Sequence, residues 1–224
     1  MEKQLNQYPE GSAQNSLPLS ASAPIRRELQ TNPVLDIARI GAFSALVAVG
    51  TIISNVLFGF TLPYPLGEIT AAPAFYLAIA VLFSRKVSFW STAIGSAIGE
   101  TVNIFVFGEA PSIWALTFVP GIVLARAPEV LIIHRFRDKA RSILAYGMVL
   151  ATIYETVVFF LIDWPVYSFT AFYCIQPGCS SSGLVQGFWL ASFDFATLID
   201  IVWIPVALVL ILAAQRTYRV QHFD

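Results

Sequence analysis

Charge is scarce in this chain. Asp, Glu, Lys and Arg make up 12% of its 224 residues, about half of the roughly 25% usual in soluble domains. The net charge is −1, and no basic run is suited to tracking phosphates, which excludes nucleic acid as a partner. Histidine is limited to His134 and His222 and cysteine to Cys174 and Cys179, which leaves no ligand set for zinc. There is no Gly-x-x-x-x-Gly-Lys-Ser/Thr, so the chain has no P-loop with which to hydrolyse ATP by itself. Gly-x-Ser-x-Gly and His-Glu-x-x-His are also missing, which argues against an intramembrane hydrolase. Asp194 and Asp200 stand six apart on one helix and do not meet the facing geometry of an aspartyl-type membrane protease. The expectation is a protein that is not an enzyme and uses no cofactor or metal.

What is abundant is apolar surface, at 57% of residues against about 45–50% in soluble domains. It is concentrated after residue 32, in a stretch too short to hide it in a water-soluble core. Residues 1–32 are rich in Gln, Asn, Ser, Ala and Pro and read as a disordered tail with no secretory signal. Residues 33–219 read as an all-α membrane domain of six transmembrane helices, followed by a short tail at 220–224. The expected spans are Ile37 to Phe58, Ile69 to Ser84, Phe89 to Phe107, Ile113 to Ile133, Ile143 to Ile162 and Phe188 to Ala214. The second is short for a hydrocarbon core of about 30 Å, and helices are the only reading that satisfies the backbone in lipid.

The positive charges orient these spans. Lys3, Arg26, Arg27 and Arg39 precede or open the first; Arg85 and Lys86 lie between two and three; Arg135, Arg137, Lys139 and Arg141 lie between four and five; Arg216 and Arg219 follow six. The opposite loops, Gly59 to Gly67, Gly108 to Ser112 and Asp163 to Gly187, carry no Lys or Arg. The rule that Lys and Arg collect on the cytoplasmic side then places both termini in the cytoplasm of a cell-membrane protein.

Charges inside a span cost about 2.5–3.5 kcal/mol each on insertion scales, so each needs a partner, a cavity or a task. In this topology Glu100, Asn103, Glu155 and Asp194 fall toward the outer face, with Asp200 near the middle and Trp114, Tyr154 and Trp189 in the same outer zone. With no basic residue expected in the outer half, the group reads as an outward-opening pocket for a small molecule that is cationic or rich in hydrogen-bond donors. The alternative is that each carboxylate is neutralised and bonded to a neighbouring helix for packing alone. Arg126 and Glu129, three apart in span four with Pro128 between them, are expected to pair with each other in the inner half, as are Asp36 and Arg39.

Small residues mark close helix contacts. Gly41 with Ala45 and Ser44 with Ala48 form stripes on span one, and Ser91, Gly95 and Gly99 form one on span three. One stripe is expected to pack within the bundle; another, if it faces lipid, suits docking of a second membrane subunit, with Gly41, Ala45, Ser44 and Ala48 as the candidate docking residues. Cys174 and Cys179, flanking Pro177-Gly178 on the outer side, are a possible disulfide.

The first helix, ARIGAFSALVAVG, and the following LPYPLGEITAAPAFYLAIAVLF and SRKVSFWSTAIGSAIGETVN resemble the substrate-binding S components of energy-coupling factor transporters. The resemblance runs over about Ile37 to Asn103 by pattern and over the core by topology. It implies a vitamin-like substrate captured from outside, in a pocket made by the outer halves of helices four to six and loops one, three and five, with Thr61 to Gly67 as a lid. It also implies a transmembrane coupling subunit docking on the Gly41 and Ala45 face, and cytoplasmic ATPases. The chain differs from that pattern in having Gly41 where Ala is common, a long polar tail and a Cys-containing loop before helix six. A non-catalytic accessory subunit of a larger membrane complex and a stand-alone proton-coupled carrier using Glu100 or Glu155 are the other readings the sequence leaves open.

Overall fold

The computed structural model describes residues 33–54, 70–106, 116–170 and 183–220. The expected tail at 1–32, residues 221–224 of the expected tail at 220–224, the loop Thr61 to Gly67, Trp114, Cys174 and Cys179 lie outside the described residues, while Val220 ends α7. Every described element is helical: α1 Pro33–Ser54, α2 Ala72–Leu82, α3 Arg85–Val106, α4 Phe118–Phe136, α5 Arg141–Phe169, α6 Leu184–Ala191, a 3-10 segment Ser192–Val202 and α7 Trp203–Val220. Three stretches are long and apolar enough to cross a membrane, Pro33–Ile53, Arg141–Phe169 and Leu184–Thr217. α3 and α4 are less apolar because of polar residues, many of which turn inward: Ser88, Ser91, Thr92, Ser96 and Asn103 of α3 and Arg126 and Glu129 of α4 are all buried.

The short second helix occupies the centre. α2 has 11 residues, about 16 Å of helix, and Ala72, Tyr76, Leu77 and Ala80 are wholly inaccessible. α1, α3, α4 and α7 surround it. A helix shielded by other helices has no lipid to match, so its length is free of the constraint that a lipid-facing span obeys. Its apolar face meets Val47, Val130, Ile133, Leu144, Met148, Ala151, Ile204 and Ala207 in one continuous core. Outside it, α1 packs on α3, α3 on α4, α4 on α5, and α5 on α6 and the 3-10 segment.

Two boundaries differ from the sequence expectation in ways that matter. α5 does not stop at Ile162 but continues to Phe169, with Pro165 inside it, so Asp163 is a buried helical residue rather than the start of an outer loop. Glu155 therefore stands in the middle of the 29-residue helix, not in its outer part. The expected sixth span is not one α-helix: 11 residues between α6 and α7 are wound as 3-10 helix, a run much longer than the three or four residues usual for that winding. Pro205, just inside α7, has no N–H to offer the carbonyl four residues back, which disfavours carrying α-helical bonding smoothly across this junction.

The glycine stripe of α3 sets the α1 contact. A Cβ on Gly95 would stand 2.6 Å from the Ser44 carbonyl oxygen and 2.7 Å from Val47 Cβ, and one on Gly99 would stand 2.7 Å from Thr51 Cβ. Ser44 and Ala48 are buried on this side of α1, whereas Gly41 and Ala45 lie on its exposed side, and nothing lies within 4 Å of a Cβ placed on Gly41. Gly95→Ala is expected to destabilise the purified protein by about 1–3 kcal/mol, the range for overpacking a filled contact. Gly41→Ala is expected to be neutral or slightly stabilising. Thermal melts in one detergent check both, and equal losses at the two sites would contradict this packing.

Candidate functional site

Arg126 is the hub. Pointing from α4 into the bundle at 4% exposure, its Nε donates to Glu155 Oε1 at 2.7 Å. Its Nη2 donates to Thr70 Oγ1 at 3.1 Å and its Nη1 to Thr51 Oγ1 at 3.5 Å. The Tyr76 hydroxyl of α2 donates to the other oxygen of Glu155 at 2.9 Å, and the guanidinium carbon sits 5.9 Å from the centre of the Tyr76 ring. One carboxylate and one guanidinium thus tie α1, α2, α4 and α5 together at a single point. The bidentate capacity of Arg, its weak hydration and its stacking on an aromatic face suit it to a buried pair better than Lys.

This arrangement corrects two expectations. Glu155 is not an acid without a cationic mate, because the long Arg126 side chain meets it at mid-helix. Arg126 in turn directs its bonds to Glu155 rather than to Glu129, three residues away on its own helix. Glu129 is wholly inaccessible; the Tyr76 hydroxyl lies near it but donates to Glu155, and neither Glu129 oxygen meets a donor in hydrogen-bond geometry. Asp200, 3% exposed, has its Oδ1 unpartnered and interacts electrostatically with Glu155 and Arg126. The centre therefore holds the carboxyl groups of Glu129, Glu155 and Asp200 around the single guanidinium of Arg126.

The 3-10 winding brings Asp194 and Asp200 into line. Six residues apart, they would point about 120° away from each other on an α-helix but are eclipsed at three residues per turn. They are the two buried residues of the segment. Thr197 lies between them in the same register, and its hydroxyl is 2.7 Å from that of Thr156 on α5. Asp194 shares a side-chain hydrogen bond with Asp163 of α5. The six residues from Asp194 to Asp200 rise about 12 Å, as do the eight from Asp163 back to Glu155. A polar seam accordingly runs along α5 from Asp163 and Asp194, through Thr156 and Thr197, to the Arg126 centre.

The described residues among those expected in the site are spread over α3, α5, α6 and the 3-10 segment. Glu155 belongs to the central cluster, and Asp194 to the far end of the seam. Asn103 is buried with its Oδ1 unpartnered and Glu100 is half-buried, but both stand on α3, which packs chiefly on α1 and α4. Trp189 is 67% exposed and faces away from Asp194; its ring meets Phe188, within an aromatic group that joins Phe160, Trp164 and Phe195. Tyr154 ties α5 to α4. Its hydroxyl donates at 3.2 Å to the Leu124 carbonyl, the acceptor four residues before Pro128 that the missing proline N–H leaves open. Asp36 and Arg39 do form the expected pair, at 3.5 Å.

Sequence reasoning passed over Asp163, Thr156, Thr197, Tyr76, Thr51 and Thr70 as members of a site. The available signal was polarity at buried spacing on α5, where Thr152, Glu155, Thr156 and Asp163 share the face that carries Leu144, Met148 and Ala151. Comparison with known protein families, curated proteins and solved structures finds no match.

Removing one member of the central pair is expected to leave a buried charge without its counterion. Arg126→Met and Glu155→Gln should each destabilise by about 3–5 kcal/mol, while the double substitution costs less than the sum. Additive losses in thermal melts would show that the pair is not coupled. At Tyr154 the expected pattern is different. Tyr154→Phe should cost about 1 kcal/mol in the native background and nothing beside Pro128→Ala, which restores a backbone donor to the Leu124 carbonyl. An undiminished loss in the double variant would contradict that assignment.

Proposed function

We propose that this chain is a six-pass cell-membrane protein with both termini in the cytoplasm, and that it serves as the substrate-binding membrane subunit for uptake of a small organic nutrient. In this reading a transmembrane coupling subunit and cytoplasmic ATPases supply the energy. The observation that carries it is the central cluster: ionisable side chains buried at the mid-depth of a helix bundle characteristically mark substrate or ion pathways, and here carboxyl groups outnumber the one cation. The resemblance of residues 37–103 to S components of energy-coupling factor transporters supports the same reading. So does the exposed small-residue face at Gly41 and Ala45, which allows another membrane helix to approach closely.

The locking of Glu155 by Arg126 and Tyr76 favours a second reading, a non-catalytic accessory subunit in which the network serves packing. A broad panel of vitamins and their precursors, screened by thermal stabilisation of the purified chain, separates the two. A binding subunit is expected to be stabilised by at least one member, by about 2.7 kcal/mol at a hundredfold excess over Kd. A flat response across the panel contradicts the uptake reading and leaves the accessory one.

A further inference from the structure

The central cluster also carries information about the charge of its occupant. Each nitrogen of Arg126 makes one bond, Nε with Glu155, Nη1 with Thr51 and Nη2 with Thr70, and the Tyr76 hydroxyl donates to Glu155. Glu129 Oε1 and Oε2 and Asp200 Oδ1 are buried and unpartnered, in residues 0% and 3% exposed, and both residues feel Arg126 and Glu155 electrostatically. Buried carboxyl oxygens need donors, and with the single guanidinium paired to Glu155 those donors should bring positive charge. A metal ion is a poor fit, since no group of three His, Cys, Asp or Glu among the described residues stands close enough to hold one.

We propose that Glu129 and Asp200 form the recognition site for an organic ammonium ion, whose N–H groups bridge the two carboxylates while Arg126 and Tyr76 hold Glu155 as a fixed wall. The proposal rests on reading the cluster as the substrate-binding site, and it names the chemical class of that substrate. Anionic ligands are excluded by the surplus of carboxylates. A neutral alcohol of the same shape would supply too few donors and no compensating charge.

The test uses the full chain in lipid nanodiscs and four probes: methylammonium, propylammonium, 2-phenylethylammonium and butane-1,4-diammonium. Each is paired with its matched alcohol and, where one exists, its matched carboxylate. Saturable thermal stabilisation by at least one ammonium probe, and by neither of its counterparts, is the expected result. Glu129→Gln and Asp200→Asn, each isosteric and one charge fewer, should weaken that binding by about tenfold or more; if one of them fails to fold, the other decides. Two outcomes overturn the proposal: no ammonium probe binds, or binding is unchanged in the variant that folds. If ammonium probes fail while a neutral or anionic nutrient stabilises the chain, the substrate class is wrong and the uptake reading survives. If nothing in either series binds, both fall.

Discussion

The pairing of Arg126 with Glu155 is the constraint on which the rest of the architecture depends. Either ion alone would be strongly unfavourable away from water, and together they are tolerable only with close geometry and with their remaining hydrogen-bonding groups met. The surrounding helices are arranged to do this: Thr51 of α1, Thr70 ahead of α2 and Tyr76 of α2 complete the shell. The position of α2 follows. To bring Tyr76 to Glu155 it must lie at the centre of the bundle, and once there it is insulated from lipid and can be as short as 11 residues. The same demand draws α1 close, and the close approach of α1 to α3 needs glycine at 95 and 99, where a methyl group would strike the Ser44 carbonyl or Thr51.

Proline placement shapes the rest. Pro128 leaves the Leu124 carbonyl without its helical donor two residues before Arg126, and the Tyr154 hydroxyl fills that vacancy from α5. The α4 and α5 helices are thereby joined by two polar ties to adjacent residues, Tyr154 and Glu155, one on the outer surface of the helix pair and one in its core. Pro205 stands just beyond the 3-10 segment, whose winding determines that Asp194, Thr197 and Asp200 face α5 together. Rewound as α-helix, the segment would turn Asp200 about a third of a turn away from Asp194 and disconnect the seam from the centre.

Much of the helical organisation is legible in the sequence, because apolar stretches separated by charged breaks leave little alternative in a chain so poor in charge. The small-residue stripes and the Asp36 and Arg39 pair follow from spacing alone, but which stripe turns inward does not: Ser44 and Ala48, expected among the residues for partner docking, are buried on the side of α1 that meets the α3 glycines. Depth proved harder. Ending α5 at Ile162 is natural when Asp163, Trp164 and Pro165 follow, yet proline is tolerated in a helix when neighbours cover the open carbonyl, and the seven residues beyond move Glu155 to mid-helix. The partner of Arg126 was equally hidden, since local spacing favours Glu129 and only tertiary packing brings residue 155 to residue 126. Trp189 shows the limit of reading aromatics by depth: it shares the level of the seam and faces the opposite way. The 3-10 register left no mark in an apolar pattern that fits an α-helix as well.

The imbalance at the centre is what separates this network from ordinary packing. A structural tie needs only the Arg126 and Glu155 pair with its hydroxyl partners, and replacing such a pair by well-packed apolar side chains is often neutral or stabilising. Glu129 and Asp200 lie outside that tie: both Glu129 oxygens and Asp200 Oδ1 are unpartnered, and besides Arg126 both residues feel the like charge of Glu155. Well-packed apolar residues of similar volume at both positions are expected to be neutral or stabilising for the bundle. In the function proposed above, the resting bundle is only one of the states these two acidic side chains serve, the other being the state in which a positively charged molecule completes them.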